Sequence, residues 1–225
     1  MNADSSNTRV LTGASALPQQ VRKILFNTFV TVGIMFALTA ASGWAFSGLR
    51  LGLWAVLGLF AVQLGALFAT HRYRHSSIGL ALLALFSLLM GVTTGPLITH
   101  YLKLPGGASI LGLSAGLTAL ATFGCAAYAI TTRRSFSQWA GMLYAGTLVI
   151  VVAALVNLFV PMPALSLTIG VLGALIFTAW ILYDVSSVVT GEQDNYISAA
   201  TGLYLDILNL FLSLLRIFGV LPFNE

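Results

Sequence analysis

A chain of 225 residues that is 58% hydrophobic and only 7% charged has too few polar groups to cover itself in water, because soluble domains carry about a quarter charged residues. With a mean hydropathy of +0.96 it reads as an integral membrane protein. Its formal net charge of +4 comes without any aromatic-rich basic stretch, so it does not argue for nucleic acid as a partner.

In chain order, residues 1–23 form a mostly polar tail and residues 24–225 a transmembrane domain. A bilayer core takes about 20 apolar residues per helix. Apolar runs of that length fall at 24–46, 51–70, 78–99, 108–130, 139–160, 165–189 and 197–220. The breaks between them are "SGLR", "HRYRHSS", "HYLKLPGG", "TTRRSFSQ", "VPMP" and "GEQDN". Seven spans with short connections leave no room for a soluble domain. The first run begins too late for the apolar region of a signal peptide, so it reads as a retained span. The runs are continuously apolar rather than alternating, which excludes a β-barrel and predicts an all-α bundle. Cys125 is the sole cysteine and lies in an apolar run, where a small core residue is the simplest reading.

Lys and Arg in short loops set orientation. Arg9, Arg22 and Lys23 lie in the tail, Arg72 and Arg74 after span two, and Arg133 and Arg134 after span four. The other side has Arg50 and Lys103, with Arg216 near the end of the last span. The bias predicts a cytoplasmic N-terminus and, with seven spans, an external C-terminus. The localisation expected is a multi-pass protein of a bacterial inner membrane.

Small residues four apart let helix backbones approach closely. Gly91 and Gly95 in span three have that spacing, as do Gly112 and Gly116 in span four. Pro96 predicts a local break in span three and a freed carbonyl, with Thr93 and Thr94 at hand to satisfy such groups. "VPMP" reads as a tight loop.

Only two acidic residues lie inside apolar runs, Asp184 in span six and Asp206 in span seven. The two spans form an antiparallel pair, and from the centre of their loop the carboxylates differ in depth by roughly 6 Å at a 1.5 Å rise per residue. They can face one another in the cytoplasmic half of the bilayer. Gly202, Asp206, Asn209 and Ser213 fall within an arc of roughly 60° on span seven, with Arg216 just beside it. Arg216 is roughly 15 Å further along the helix and so is no direct partner of Asp206. A polar stripe of this kind belongs to the bundle interior or to a water-facing wall. Its residues either hold helices together or build a functional site, and an intramembrane ionisable group points to the latter. Two neighbouring carboxyls in a low dielectric cannot both ionise cheaply, so the pair would share a proton. Such a pair suits a proton switch or a cation contact; Ca²⁺ takes oxygen ligands, but two carboxylates alone make a sparse site.

His71, His75 and His100 sit at span ends or in loops. His71 and His75 share a helical face, but Arg72 and Arg74 beside them favour a solvated basic loop over a metal site. There is no Gly-rich phosphate loop, no Cys/His cluster and no Ser/His/Asp arrangement, so neither a cofactor nor an enzyme activity is expected. "YDVSS" and "LYLDIL" also lack the Gly flanking of intramembrane aspartyl proteases.

The stretches "TTGPLITHYL", "TTRRSFSQWAGMLYAGTLVIVVAALVNLF", "LYDVSSVVTGEQDNYI" and "LYLDILNLFLSLLRIFG" together resemble the Bax inhibitor-1 family. The resemblance runs from about residue 85 to the end, with the first spans matching in layout. The "GEQDNYISA" loop and "MPALSL" look most like the bacterial subgroup that contains the modulator of the FtsH membrane protease. The resemblance implies a seven-helix fold whose last helix is central and wrapped by the other six. It also implies a di-aspartyl pair on helices six and seven that senses pH and controls a calcium leak; Asp184 and Asp206 match those positions. Some members close the pore with an Arg on helix two, and span two of this chain has no basic residue, Gln63 being its strongly polar member. Two functions follow. One is a pH-modulated cation leak, for Ca²⁺, with H⁺ acting on the Asp pair. The other is a non-conducting partner of a membrane-bound ATP-dependent protease, with the polar tail as a docking segment.

Overall fold

The computed structural model describes residues 17–220, so residues 1–16 of the polar tail lie outside it. Seven helices form: α1 (Gln19–Ala45), α2 (Leu53–Arg72), α3 (Ser77–Leu102), α4 (Gly107–Thr132), α5 (Ala140–Phe159), α6 (Pro163–Val189) and α7 (Tyr196–Val220). One 3-10 turn, Ser137–Trp139, precedes α5, and there is no strand among the described residues. All seven are long and apolar enough to cross a membrane. The protein is a multi-pass, all-α membrane protein.

The helices end where the sequence changes chemistry. Gly106 and Arg133, on either side of α4, have positive φ and turn the chain sharply. The "VPMP" loop is tight: Asn157 Oδ1 accepts from the Met162 backbone N–H at 3.0 Å, and Pro163 opens α6. Proline suits a first helical turn because no intrahelical donor is lost there. Most bounds shift by one to five residues from the sequence reading, and two of the shifts change which residues are helical at the site's end of the bundle. Helix α1 starts at Gln19 rather than after the tail, and α2 runs on through His71 and Arg72, so its last turn is basic.

Helix α3 packs against both α1 and α2. A Cβ on Gly91 would overlap Ser42 Oγ and Thr39 O, and one on Gly95 would overlap Gly43 O, so the α1 and α3 backbones touch. Ser42 Oγ donates to Leu88 O at 2.9 Å across the same seam. Gln63 ties α2 to α3 by donating to Leu89 O at 2.9 Å and Thr93 Oγ1 at 3.1 Å.

Two packing expectations are corrected. Gly112 and Gly116 meet nothing: a Cβ at either would find open space, because that face of α4 is turned outward. The buried face of α4 is instead the Ser114, Thr118, Thr122 stripe, whose hydroxyls donate to carbonyls one turn back. Helix α3 also continues unbroken through Pro96, with Thr93 and Thr94 bonded to Met90 O.

Helix α7 packs against α1, α2, α3, α4 and α6. Helix α5 is not among its neighbours: it packs on α6 and lies outside it. The last helix is therefore surrounded by five of the others, not six. At its centre Tyr204 is fully buried between α1 and α3, with its ring 4.8 Å from that of Phe36 and 6.1 Å from that of Phe86. Its hydroxyl is 2.6 Å from Thr39 Oγ1. The Thr39 proton is directed to Met35 O and Ser87 O, so Tyr204 is the donor.

Candidate functional site

The site is built on the α6–α7 hairpin. Thr190 Oγ1 donates to Ser186 O at 2.9 Å to close α6, and Gly191 takes a positive φ of 81° to reverse the chain. Asn195 then caps α7: its Oδ1 accepts from the Ser198 backbone N–H at 3.0 Å, satisfying one of the donors left free at a helix start. Its Nδ2 donates to Arg74 O at 3.0 Å, which pins the acidic α6–α7 loop to the basic α2–α3 loop.

This hairpin sets Asp184 of α6 beside Asp206 of α7, with the carboxyl groups close enough for one to hydrogen-bond the other when it carries a proton. Gly202 makes the approach possible: a Cβ there would overlap Asp184 Oδ2. Asp206 is 8% exposed and its Oδ2 has no hydrogen-bond partner. Asp184 is half-buried.

The rest of the polar stripe faces the same way. Ser213 Oγ occupies the space that a Cβ on Gly173 would fill, and Ser213 O approaches Gly170, so the stripe packs on α6. Ser213 is buried and Asn209 half-buried. Arg216 lies further along α7, near Tyr101.

A cavity of about 420 Å³ opens beside the pair, with α7 as its floor. Asp184, Asp206, Ser198 and Thr201 line its polar side, and Phe68, Tyr144 and Trp180 its aromatic side. It fills a gap between helices: among the described residues the backbone of α2 does not closely approach α5 or α6. Trp180 is fixed by donating Nε1–H to Thr147 Oγ1 at 2.8 Å and by an edge-to-face contact with Tyr144 at 4.8 Å.

His71 also lines this cavity, where the sequence suggested only a solvated loop. It is the single basic side chain among the described residues on that wall. Arg74 sits between the histidines, its Nη1 3.0 Å from His71 Nε2 and its Nε 3.2 Å from His75 Nε2. Arginine can only donate, so both nitrogens accept and are not free to ligate a metal. Among the described residues no set of three or more His, Cys, Asp or Glu side chains could hold one ion. Gln63 is spent on α3 and does not line the cavity. Sequence reasoning missed Ser198 and Thr201, which lie eight and five residues before Asp206 on the same helix, outside the polar stripe. It also missed Tyr144, for which the sequence carried no signal.

A second, apolar cavity of about 660 Å³ lies between α1, α3 and α4, against Ile207, Leu208 and Phe211 of α7. At 100° per residue these occupy the opposite side of α7 from Asp206. Helix α7 thus stands between the two cavities.

An all-α, seven-helix membrane protein with two carboxyls meeting between its last helices is the class that this geometry defines. The chain belongs to the family described as Inhibitor of apoptosis-promoting Bax1, whose family model matches residues 21–221. The match begins in α1, so the first spans belong to the family as fully as the last. A Vibrio cholerae relative, described as an uncharacterised membrane protein, is 36% identical over 97% of this chain and 100% of its own. An uncharacterised Pseudomonas aeruginosa protein is 36% identical over 93% of this chain and 95% of its own. The Modulator of FtsH protease YccA of Escherichia coli K12 is 32% identical over 88% of this chain and 90% of its own.

Proposed function

We propose that this protein is a pH-modulated cation leak in which Asp184 and Asp206 form the proton-sensitive element. The observation that carries the reading is the meeting of two carboxyls at a cavity inside an otherwise apolar bundle. Orientation follows from charge. Arg22, Lys23, Arg72, Arg74, Arg133 and Arg134 gather at the end bearing the α2–α3, α4–α5 and α6–α7 loops, which is the cytoplasmic end. The cavity opens from that half. A relative from Escherichia coli O6:H1, 32% identical over 88% of this chain, carries the name Inner membrane protein YccA, and an inner-membrane location suits this chain.

The mechanism is electrostatic. With one shared proton the pair is a single charge bridged by a hydrogen bond, and α6 and α7 stay packed through Gly170, Gly173 and Ser213. When pH rises and that proton leaves, two like charges face each other in a low dielectric, where repulsion is strong. Repulsion favours separating the helices and draws a cation to the pair. Flux of an ion such as Ca²⁺ therefore increases with pH. The ion passes through; two carboxylates do not make a resident Ca²⁺ site, which takes 6–8 oxygens.

The test is Ca²⁺ flux into proteoliposomes between about pH 6 and pH 8, for wild type and Asp206→Asn. A leak that rises with pH and loses that dependence in the variant supports the reading. Flux indifferent to both Asp206→Asn and Asp184→Asn sinks it.

The relative named as a modulator of FtsH protease favours a second reading, in which this chain contacts a membrane-bound ATP-dependent protease without conducting. The polar tail is then the docking segment. Deletion of residues 2–20 would abolish co-purification with the protease; unchanged association removes that role from the tail.

A further inference from the structure

Three buried side-chain polar atoms lack hydrogen-bond partners among the described residues: Thr28 Oγ1, Ser198 Oγ and Asp206 Oδ2. Buried polar atoms are nearly always paired, so an unpaired one needs a reason. Ser198 and Asp206 line the same cavity, the one beside the carboxyl pair. Both orphaned oxygens can accept: the proton that Asp206 shares with Asp184 lies in the hydrogen bond between the two carboxyls, which leaves Oδ2 of Asp206 as an acceptor. The site therefore calls for a donor.

The opposite wall calls for carbon. Phe68, Tyr144, Trp180, Leu67 and Leu205 line the rest of the cavity. At about 420 Å³ it falls in the size range of small-molecule sites. A bare divalent ion would gain little from such a wall, since it needs a full shell of oxygens. A cation carried on carbon gains from both walls, because aromatic faces attract ammonium groups and bury alkyl chains. The mouth explains entry. Phe68 is 74% and Tyr144 66% exposed, on helices whose backbones do not approach each other closely, so the cavity opens between them toward the bilayer.

We propose that this cavity binds a primary alkylammonium ion, its N–H groups on Asp206 and Ser198 and its chain against Phe68, Tyr144 and Trp180. A primary head is specified because a quaternary one has no proton for the orphaned oxygens. The site shares its carboxylates with the leak reading but does not need conduction. The head could belong to a free amine or to a phosphatidylethanolamine lipid, which carries the same group.

The test is calorimetric titration of n-hexylammonium chloride into the full-length protein in phosphatidylcholine–phosphatidylglycerol nanodiscs, with empty discs subtracted. Saturable binding is expected, weakened at least about tenfold by Asp206→Asn and about three- to tenfold by Ser198→Ala, the range for losing a charged and a neutral hydrogen bond. Hexyltrimethylammonium should bind at least about fivefold more weakly, and n-hexanol not at all. Ser198→Ala, a mild change at a half-buried position, guards against a folding failure in Asp206→Asn. Hexanol binding as tightly as hexylammonium, or both variants binding like wild type, overturns the proposal. Adding phosphatidylethanolamine to the discs separates the sources: competition assigns the lipid head, and unchanged affinity assigns a free amine. Ca²⁺ flux is measured on the same preparation. Flux without ammonium binding overturns this inference and leaves the leak standing, and binding without flux does the reverse.

Discussion

Gly202 of α7 lies directly against the carboxylate of Asp184 on α6, so close that a Cβ would occupy the position of Oδ2. The obstacle is the end of a movable side chain, so Gly202→Ala should force Asp184 to rotate away rather than unfold the hairpin. Overpacking costs about 1–3 kcal/mol, and replacing glycine inside a helix returns about 1 kcal/mol. The melting temperature in detergent should therefore fall only slightly, while the pH dependence of the proposed leak should be lost. A wild-type pH profile in Gly202→Ala would show that Asp184 need not stay beside Asp206.

Two carboxyls that share one proton titrate as a unit. On the proposed leak, Asp184→Asn, Asp206→Asn and the double variant should thus behave alike, each holding Ca²⁺ flux at the low level expected of wild type at acid pH. The sign follows from repulsion: flux rises with pH only while both carboxylates can charge. Additive effects of the two single changes would mean that the groups act separately.

Backbone contact makes Gly95 and Gly112 opposite cases. Gly95→Ala drives a methyl into Gly43 O, where no side chain can yield, and should cost several kcal/mol, at the upper end of single-site effects. Gly112→Ala and Gly116→Ala meet open space and should stay within about 0.5 kcal/mol of wild type. Thermal unfolding in one detergent checks all three, and equal losses would contradict the α1–α3 seam.

The Tyr204 hydroxyl donates to Thr39 Oγ1 in the centre of the bundle. Tyr204→Phe keeps the ring contacts with Phe36 and Phe86 and loses the bond, for a cost of about 1 kcal/mol. Tyr204→Leu also loses the ring packing and should cost clearly more than Tyr204→Phe, toward but below the about 3–5 kcal/mol of an aromatic-to-alanine truncation. A Tyr204→Phe variant as unstable as Tyr204→Leu would make the hydroxyl, not the ring, the main contributor.

Asn195 has two tasks, capping α7 and tying its start to Arg74 O. Asn195→Ala removes both and should cost about 1–2 kcal/mol. Asn195→Ser or Asn195→Asp keeps a cap but not the amide donor, so either should recover the helix-capping part alone. Hydrogen exchange at the Ser198 amide reads the cap directly; unchanged exchange in Asn195→Ala would remove that assignment.

Much of this was legible in the sequence because the bilayer limits the alternatives. Backbone groups cannot be left unpaired in hydrocarbon, so each long apolar run had to be a helix, and the helix ends fall within a few residues of the composition breaks. Charge inside a span is costly, so Asp184 and Asp206 stood out without any coordinates. Their near-equal depth along an antiparallel pair followed from helix rise alone.

Side-chain neighbours between distant helices were a different matter. Gly91/Gly95 and Gly112/Gly116 have the same spacing, yet the first pair touches α1 and the second touches nothing. Spacing shows that close approach is possible, whereas only the arrangement of helices decides whether a partner arrives. The same holds for His71, which two extra helical residues carried from the basic loop to the cavity wall, and for Tyr144, which reaches the cavity through α5's place on the outside of α6. The sequence by itself determined what each helix is and which residues are too polar for its surroundings, because those are local costs of lying in a membrane. Tertiary structure alone decided what meets at Asp206, because two orphaned oxygens and an aromatic wall come together only where four helices leave a gap between them.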